Sequence, residues 1–101
     1  QQVSGDVKKR WVVVQNGTTK IGLFQGLIPK NSLTFNPGST PERETLKDFQ
    51  DVRELQHLLK SRGVAVKNEI DETTDGPAGF EITDPDGNPI LIDQYVSKPK
   101  R

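Results

Sequence analysis

Apolar positions along this chain change period twice, and the changes mark out its elements. Arg10-Trp-Val-Val-Val-Gln15 is aromatic and β-branched, and Asn16-Gly17 follows it as a turn signal. Lys20-Ile-Gly-Leu-Phe-Gln25 then alternates, so the two runs predict a hairpin. Ser32-Leu-Thr-Phe-Asn36 predicts a short strand with Leu33 and Phe35 on one face, and Asn36-Pro-Gly-Ser-Thr-Pro41 breaks the chain. Leu46, Phe49, Val52, Leu55, Leu58 and Leu59 recur at three- and four-residue steps, the period of an amphipathic helix. Asp51 followed by Glu54 has the form of a capping box, which moves the regular helix start to near Val52. Arg62-Gly63 predicts its end. Val64–Ile70 predicts a further strand, with Val64, Val66 and Ile70 buried.

Phe80 and Ile82 alternate with Glu81 and Thr83, Asp84-Pro-Asp-Gly-Asn88 turns the chain, and Ile90 and Ile92 alternate with Leu91 and Asp93. Sliding the first hairpin forward by 69 positions lays Trp11 on Phe80, Val13 on Ile82, Ile21 on Ile90, Leu23 on Ile92 and Gln25 on Gln94 without a gap. An ungapped match of this kind is an internal repeat, and it predicts two similar modules. The expected class is α+β. A complete strand–helix–strand–strand–strand module covers residues 32–96, and a partial copy covers residues 2–25, within a single domain over residues 1–101.

Composition adds limits. A chain of 101 residues has room for one small core. Fourteen basic and fourteen acidic residues cancel, so long-range attraction to nucleic acid or to an anionic membrane is not indicated, and neither is expected as a partner. No apolar run approaches the roughly 20 residues needed to cross a bilayer, and no signal-peptide pattern opens the chain, so a cytoplasmic location is the expectation. The absence of Cys excludes thiolate metal sites and Cys nucleophiles. His57, the one histidine, lies beside the apolar stripe of the helix and reads as an exposed boundary residue. Asp84-Pro-Asp-Gly-Asn88 lacks the spacing of a calcium loop, and Pro41–Thr45 reads as a solvated loop.

The stretch Gly76–Tyr95 resembles the closing hairpin of the vicinal oxygen chelate superfamily: glyoxalases, bleomycin-resistance proteins and extradiol dioxygenases. That resemblance implies paired βαβββ modules forming a cupped sheet, with the opening strand and helix of the first module outside this sequence. It implies metal-ligand positions at Gly22, Ser32 and Leu91. The first two residue types do not suit such a role, and Leu has no donor atom at all. No metal and no cofactor are therefore expected. Alternation predicts that Arg10, Phe24, Ser32, Thr34, Glu81, Thr83, Leu91, Asp93 and Tyr95 face the cup, a mixture of aromatic contact and charge that suits a small molecule. In the first hairpin it predicts that Val12, Val14 and Lys20 share the face of Arg10 and Phe24, and that Trp11 and Val13 share the opposite face with Ile21 and Leu23. The expected function is metal-independent binding of a partly apolar ligand. The alternative is a metal-dependent lyase or dioxygenase that takes ligands from an absent segment or a partner chain. A homodimer is expected to cover Trp11, Ile21 and Leu23.

Overall fold

A computed structural model describes residues 1–100 as an α+β chain. Its elements are β1 (Gln2–Asp6), a single 3-10 turn (Val7–Lys9), β2 (Trp11–Asn16), β3 (Thr19–Phe24), β4 (Leu33–Phe35), α1 (Val52–Ser61), β5 (Ala78–Thr83) and β6 (Pro89–Gln94). They form two three-stranded sheets, β1-β2-β3 and β4-β6-β5. The chain divides into two compact units, Gln1–Asn31 and the remainder from Ser32.

The first unit is an antiparallel meander. β2 and β3 join through a two-residue turn, Gly17-Thr18, closed by the Asn16–Thr19 pair. Gly17 has φ 60°, the positive value that a type II′ turn requires at its first central residue. This turn sets the register Trp11–Phe24, Val12–Leu23, Val13–Gly22, Val14–Ile21 and Gln15–Lys20. Opposed residues share a face, so Trp11, Val13, Gly22 and Phe24 lie on one side, and Val12, Val14, Ile21 and Leu23 on the other. The sequence reading grouped Trp11 and Val13 with Ile21 and Leu23. It placed Val12 and Val14 with Phe24. Both groupings are corrected, because the second hairpin pairs Phe80 with Ile92 and Ile82 with Ile90, one position out of step with the first. A slip of one residue reverses every side chain. No side chain of the described first unit is fully buried.

In the second unit β6 is central, parallel to β4 and antiparallel to β5. Helix α1 packs on β5 and β6. It begins at Val52 because Asp51, in extended conformation, caps it: the Asp51 carboxylate accepts the Arg53 N–H at 3.0 Å. It ends in a Schellman arrangement. The Gly63 N–H donates to the Lys60 carbonyl at 3.0 Å and the Val64 N–H to the Leu59 carbonyl at 3.0 Å, with Gly63 at φ 82°. Leu46 and Phe49, read as part of the helical stripe, precede the helix.

Among the described residues the fully buried apolar side chains are Val52 and Phe80, and four polar ones join them: Asp51, Arg53, Gln56 and Gln94. Buried polar groups need partners, and these find them in one another and in backbone. Gln94 accepts the Val52 N–H at 2.8 Å through Oε1, and its Nε2 donates to Asp51 Oδ1 at 2.8 Å and to the Val96 carbonyl at 3.0 Å. Arg53 donates from both terminal nitrogens to the Gly76 carbonyl at 3.0 Å, and from Nη2 to Asp51 Oδ1 at 3.1 Å. Its Nε lies 3.0 Å from Asp51 Oδ2, but the N–H is not aimed at that oxygen, so this contact is an ion pair without a hydrogen bond.

The strand expected at Val64–Ile70 is reduced to one antiparallel bridge between Lys67 and Glu81. Asn68 has φ 56°, which turns the chain out of extended conformation immediately after that bridge. Gln56 then supplies what a neighbouring strand would have supplied. Its Oε1 accepts the Ile70 N–H at 2.7 Å and its Nε2 donates to the Ile70 carbonyl at 3.0 Å.

Candidate functional site

The face of β4-β6-β5 opposite Phe80 carries the clearest grouping of polar and apolar side chains. Register makes Thr34, Leu91 and Glu81 neighbours in one row across the three strands. The Lys67–Glu81 bridge extends that row by one position, through backbone hydrogen bonds of 2.7 and 3.0 Å. Asp93 lies two residues along β6 on the same face, opposite Gly79. A Cβ at residue 79 would stand 3.2 Å from Asp93 Oδ1, so the carboxylate occupies space that any other residue there would contest. Glu81, Leu91 and Asp93 are half-buried and Thr34 is exposed.

The remaining candidates of this unit sit at its margins. Ser32 precedes β4, exposed, with its hydroxyl 3.5 Å from the Leu33 carbonyl. Thr83 ends β5 opposite Pro89. Tyr95 follows β6, and the Arg43 guanidinium stands 4.8 Å from its ring centre. Arg43 is a functional candidate that the sequence did not announce. Its segment, read as a solvated loop, folds into a tight turn. Thr40 receives the Arg43 N–H on its carbonyl at 2.9 Å and the Glu44 N–H on its hydroxyl at 3.1 Å. Ser39 and Thr45 bridge its base. Arg43 itself has φ 66°, a conformation that L side chains other than Asn and Asp seldom adopt.

Arg10 and Phe24 belong to the first unit. Arg10 follows the 3-10 turn with φ 70°, donates its N–H to the Val7 carbonyl at 3.0 Å and accepts the Gln25 N–H on its own carbonyl at 2.9 Å. Phe24 stacks with Trp11, their ring centres 6.3 Å apart and their planes within 8°.

Of the positions that the family resemblance assigns to metal ligands, Gly22 lies mid-strand in β3, Leu91 at the centre of the row and Ser32 just outside β4. Among the described residues, His, Cys, Asp and Glu form no group of three or more suited to a metal ion. Among the described residues, too, no helix is long and apolar enough to span a membrane.

An open hollow of about 330 Å³ lies elsewhere, along α1, where Arg53, His57, Ser61, Glu72 and Lys98 are among its lining residues. It includes none of the nine candidates. His57 is 77% exposed there, with Nδ1 3.5 Å from Glu72 Oε1, a position that matches a boundary helix residue. No protein-family model matches this chain, and comparison with curated proteins and with solved structures finds no match either.

Proposed function

We propose that the protein binds a small, partly apolar molecule on the Thr34–Leu91–Glu81 face without the help of a metal. The bleomycin-sequestering members of the vicinal oxygen chelate superfamily do the same. The observation that carries this reading is Leu91. It sits half-buried at the centre of the row, flanked by Thr34 and Glu81 and followed by Asp93. A leucine there offers apolar contact where a metal-using relative would need a donor atom. The neighbouring carboxylates and hydroxyl fix orientation, as the few polar groups of small-molecule sites do. In this reading residues 32–96 are a βαβββ module whose second strand has shrunk to the Lys67 bridge, and residues 2–25 are its partial copy. The reading includes a homodimer in which a second chain covers Ile21 and Leu23, both 54% exposed.

A library of small aromatic amines, acids and amides, screened by amide chemical shifts in EDTA-containing buffer, tests the reading. Shifts are expected to cluster at Thr34, Glu81, Leu91 and Asp93, and Leu91→Asp should weaken any hit at least tenfold, about 1.4 kcal/mol. Hits that map to the His57 hollow instead would refute it. Binding that appears only after Zn²⁺, Ni²⁺, Mn²⁺ or Fe²⁺ is added would favour the metal-dependent enzyme.

A further inference from the structure

The zero net charge of the chain conceals a division. The first unit holds five basic residues (Lys8, Lys9, Arg10, Lys20 and Lys30) and one acidic residue, Asp6, a net charge of +4 within 31 residues. The nine basic and thirteen acidic residues that remain give the rest of the chain −4. A compact +4 unit is an electrostatic footprint that the total does not reveal.

The placement of these charges is specific. Asp6 caps the 3-10 turn by accepting the Lys8 N–H at 2.9 Å, and the turn presents Lys8, Lys9 and Arg10 in succession. Arg10 is tied to the end of β3 through the Gln25 N–H. The basic turn is therefore fixed at the end of the sheet where Trp11 and Phe24 stack. Phe24 lies down along its own strand: a Cβ at residue 22 would fall 2.6 Å from Phe24 Cε2, so Gly22 is what makes room for the ring. Phe24 remains 43% exposed. Lys20, opposite Gln15, is on the same face two residues beyond Gly22. Near-parallel rings on an open sheet, with cations at both ends, combine the two features that single-stranded nucleic acid requires: π-faces for bases and positive charge for the backbone.

We propose that this face of β1-β2-β3 binds single-stranded nucleic acid, with a base stacking on Phe24 and Trp11 and phosphates held by Lys8, Lys9 and Arg10. An anionic membrane fits less well. The aliphatic side chains that would enter a bilayer, Ile21 and Leu23, are on the opposite face from the aromatic pair. The proposal is independent of the small-molecule site, which uses other residues in the other unit.

Trp11 is the chain's one tryptophan and serves as the probe. The full chain is titrated at low salt with oligothymidylate and oligouridylate. Polyglutamate and phosphatidylserine–phosphatidylcholine vesicles are the comparison polyanions. Saturable quenching of Trp11 by the oligonucleotides is expected, with log K falling linearly in log salt at about −0.7 per phosphate contacted. The Lys8→Glu/Lys9→Glu variant should flatten that slope. Phe24→Leu, which keeps an apolar side chain in the strand, should weaken binding by about 5- to 150-fold at an unchanged slope. Phe24→Tyr should restore it. Unaltered Trp11 emission and anisotropy at low salt would overturn the proposal. So would equal binding of polyglutamate with no quenching, or binding of vesicles but not of oligonucleotides.

Discussion

Replacing Gln94 by Leu tests whether the buried polar cluster holds the second unit together. The side chain is 1% exposed, and Leu is close to it in size. The substitution removes an acceptor from the Val52 N–H, the first of the orphan donors at the start of α1. It also removes a donor from the Asp51 carboxylate and one from the Val96 carbonyl. An orphaned buried N–H costs about 1–3 kcal/mol, and a hydrogen bond to a charged group contributes about 1.5–3 kcal/mol. Burying Leu returns up to about 2 kcal/mol. The Val96 carbonyl is only partly buried, and water can replace its donor at small cost. A net loss of about 3 kcal/mol follows, out of a total stability of roughly 5–15 kcal/mol for a chain of this size.

At about 4–8 °C per kcal/mol, that loss lowers Tm by 12 °C or more. The assay is thermal and urea unfolding followed by far-ultraviolet circular dichroism, which sees α1; Trp11 emission reports the other unit. A companion variant separates hydrogen bonding from packing. Gln94→Glu keeps the acceptor for Val52 but sets a second carboxylate where Nε2 now lies, 2.8 Å from Asp51 Oδ1. Two like charges so close favour uptake of a proton, so this variant should recover stability as pH falls. A Gln94→Leu protein that melts cooperatively within about 4 °C of the parent, or a Gln94→Glu protein indifferent to pH, refutes the reasoning.

Three further outcomes are expected. Asp84 is held below the ordinary carboxylate range, chiefly by the Asn88 N–H at 2.8 Å, with the Asp86 N–H and the Asn88 amide adding to it. Its stabilising effect is thus full above the ordinary range and lost as pH falls through the lowered folded-state value; side-chain carboxyl NMR should place its titration below that of Asp84 in the urea-unfolded chain. Lys60 is shifted the other way, raised mainly by its hydrogen bond to Glu69, so its effect is present below the ordinary lysine range and fades as pH rises beyond it; Glu69→Gln should remove that alkaline dependence. Sedimentation at micromolar concentration should show a dimer that Ile21→Lys/Leu23→Lys disrupts, and a stable, cooperatively folding parent monomer would remove the case for a covered Ile21–Leu23 face.

The sequence was most legible where a local chemical cue agreed with the apolar period. Asp51 marked the helix start against an apolar stripe that ran on from Leu46, and the cap decided the matter. The alternation of Phe80–Ile82 and Ile90–Ile92 placed Glu81, Leu91 and Asp93 on the opposite face, and register agrees. The buried side of α1 was not legible. Reading apolar residues alone put Leu58 inward, yet Leu58 is exposed while Arg53 and Gln56 are buried with Val52. Residues 52, 53 and 56 share one helix face, but polarity disguised it. Their partners are backbone groups at Ile70 and Gly76, far along the chain, which no periodicity signals. Arg43 was hidden for a similar reason: its place beside Tyr95 depends on a turn whose hydrogen bonds come from Thr40.

The first hairpin shows how an ungapped match of residue types led to the wrong faces. Matching residue types without a gap laid Asn16–Thr19 on Pro85–Asn88, which treats the two turns as equivalent. They are not. Gly17-Thr18 is a two-residue connection between the Asn16–Thr19 pair, whereas Thr83 and Pro89 close a connection of five residues, Asp84–Asn88. An even loop opposes an odd-numbered residue to an even-numbered one, and an odd loop opposes residues of equal parity. Trp11 therefore meets Phe24, while Phe80 meets Ile92. The cue was present in turn chemistry: Asn-Gly favours the shortest hairpin, and Asp-Pro-Asp-Gly-Asn needs a longer one. Apolar alternation says which residues within a strand lie together, and only the turn says which residues of its neighbour join them. Here that difference moves Phe24 away from Val12 and Val14 and onto Trp11, and the first unit carries an aromatic pair beside its basic turn instead of a second aliphatic face.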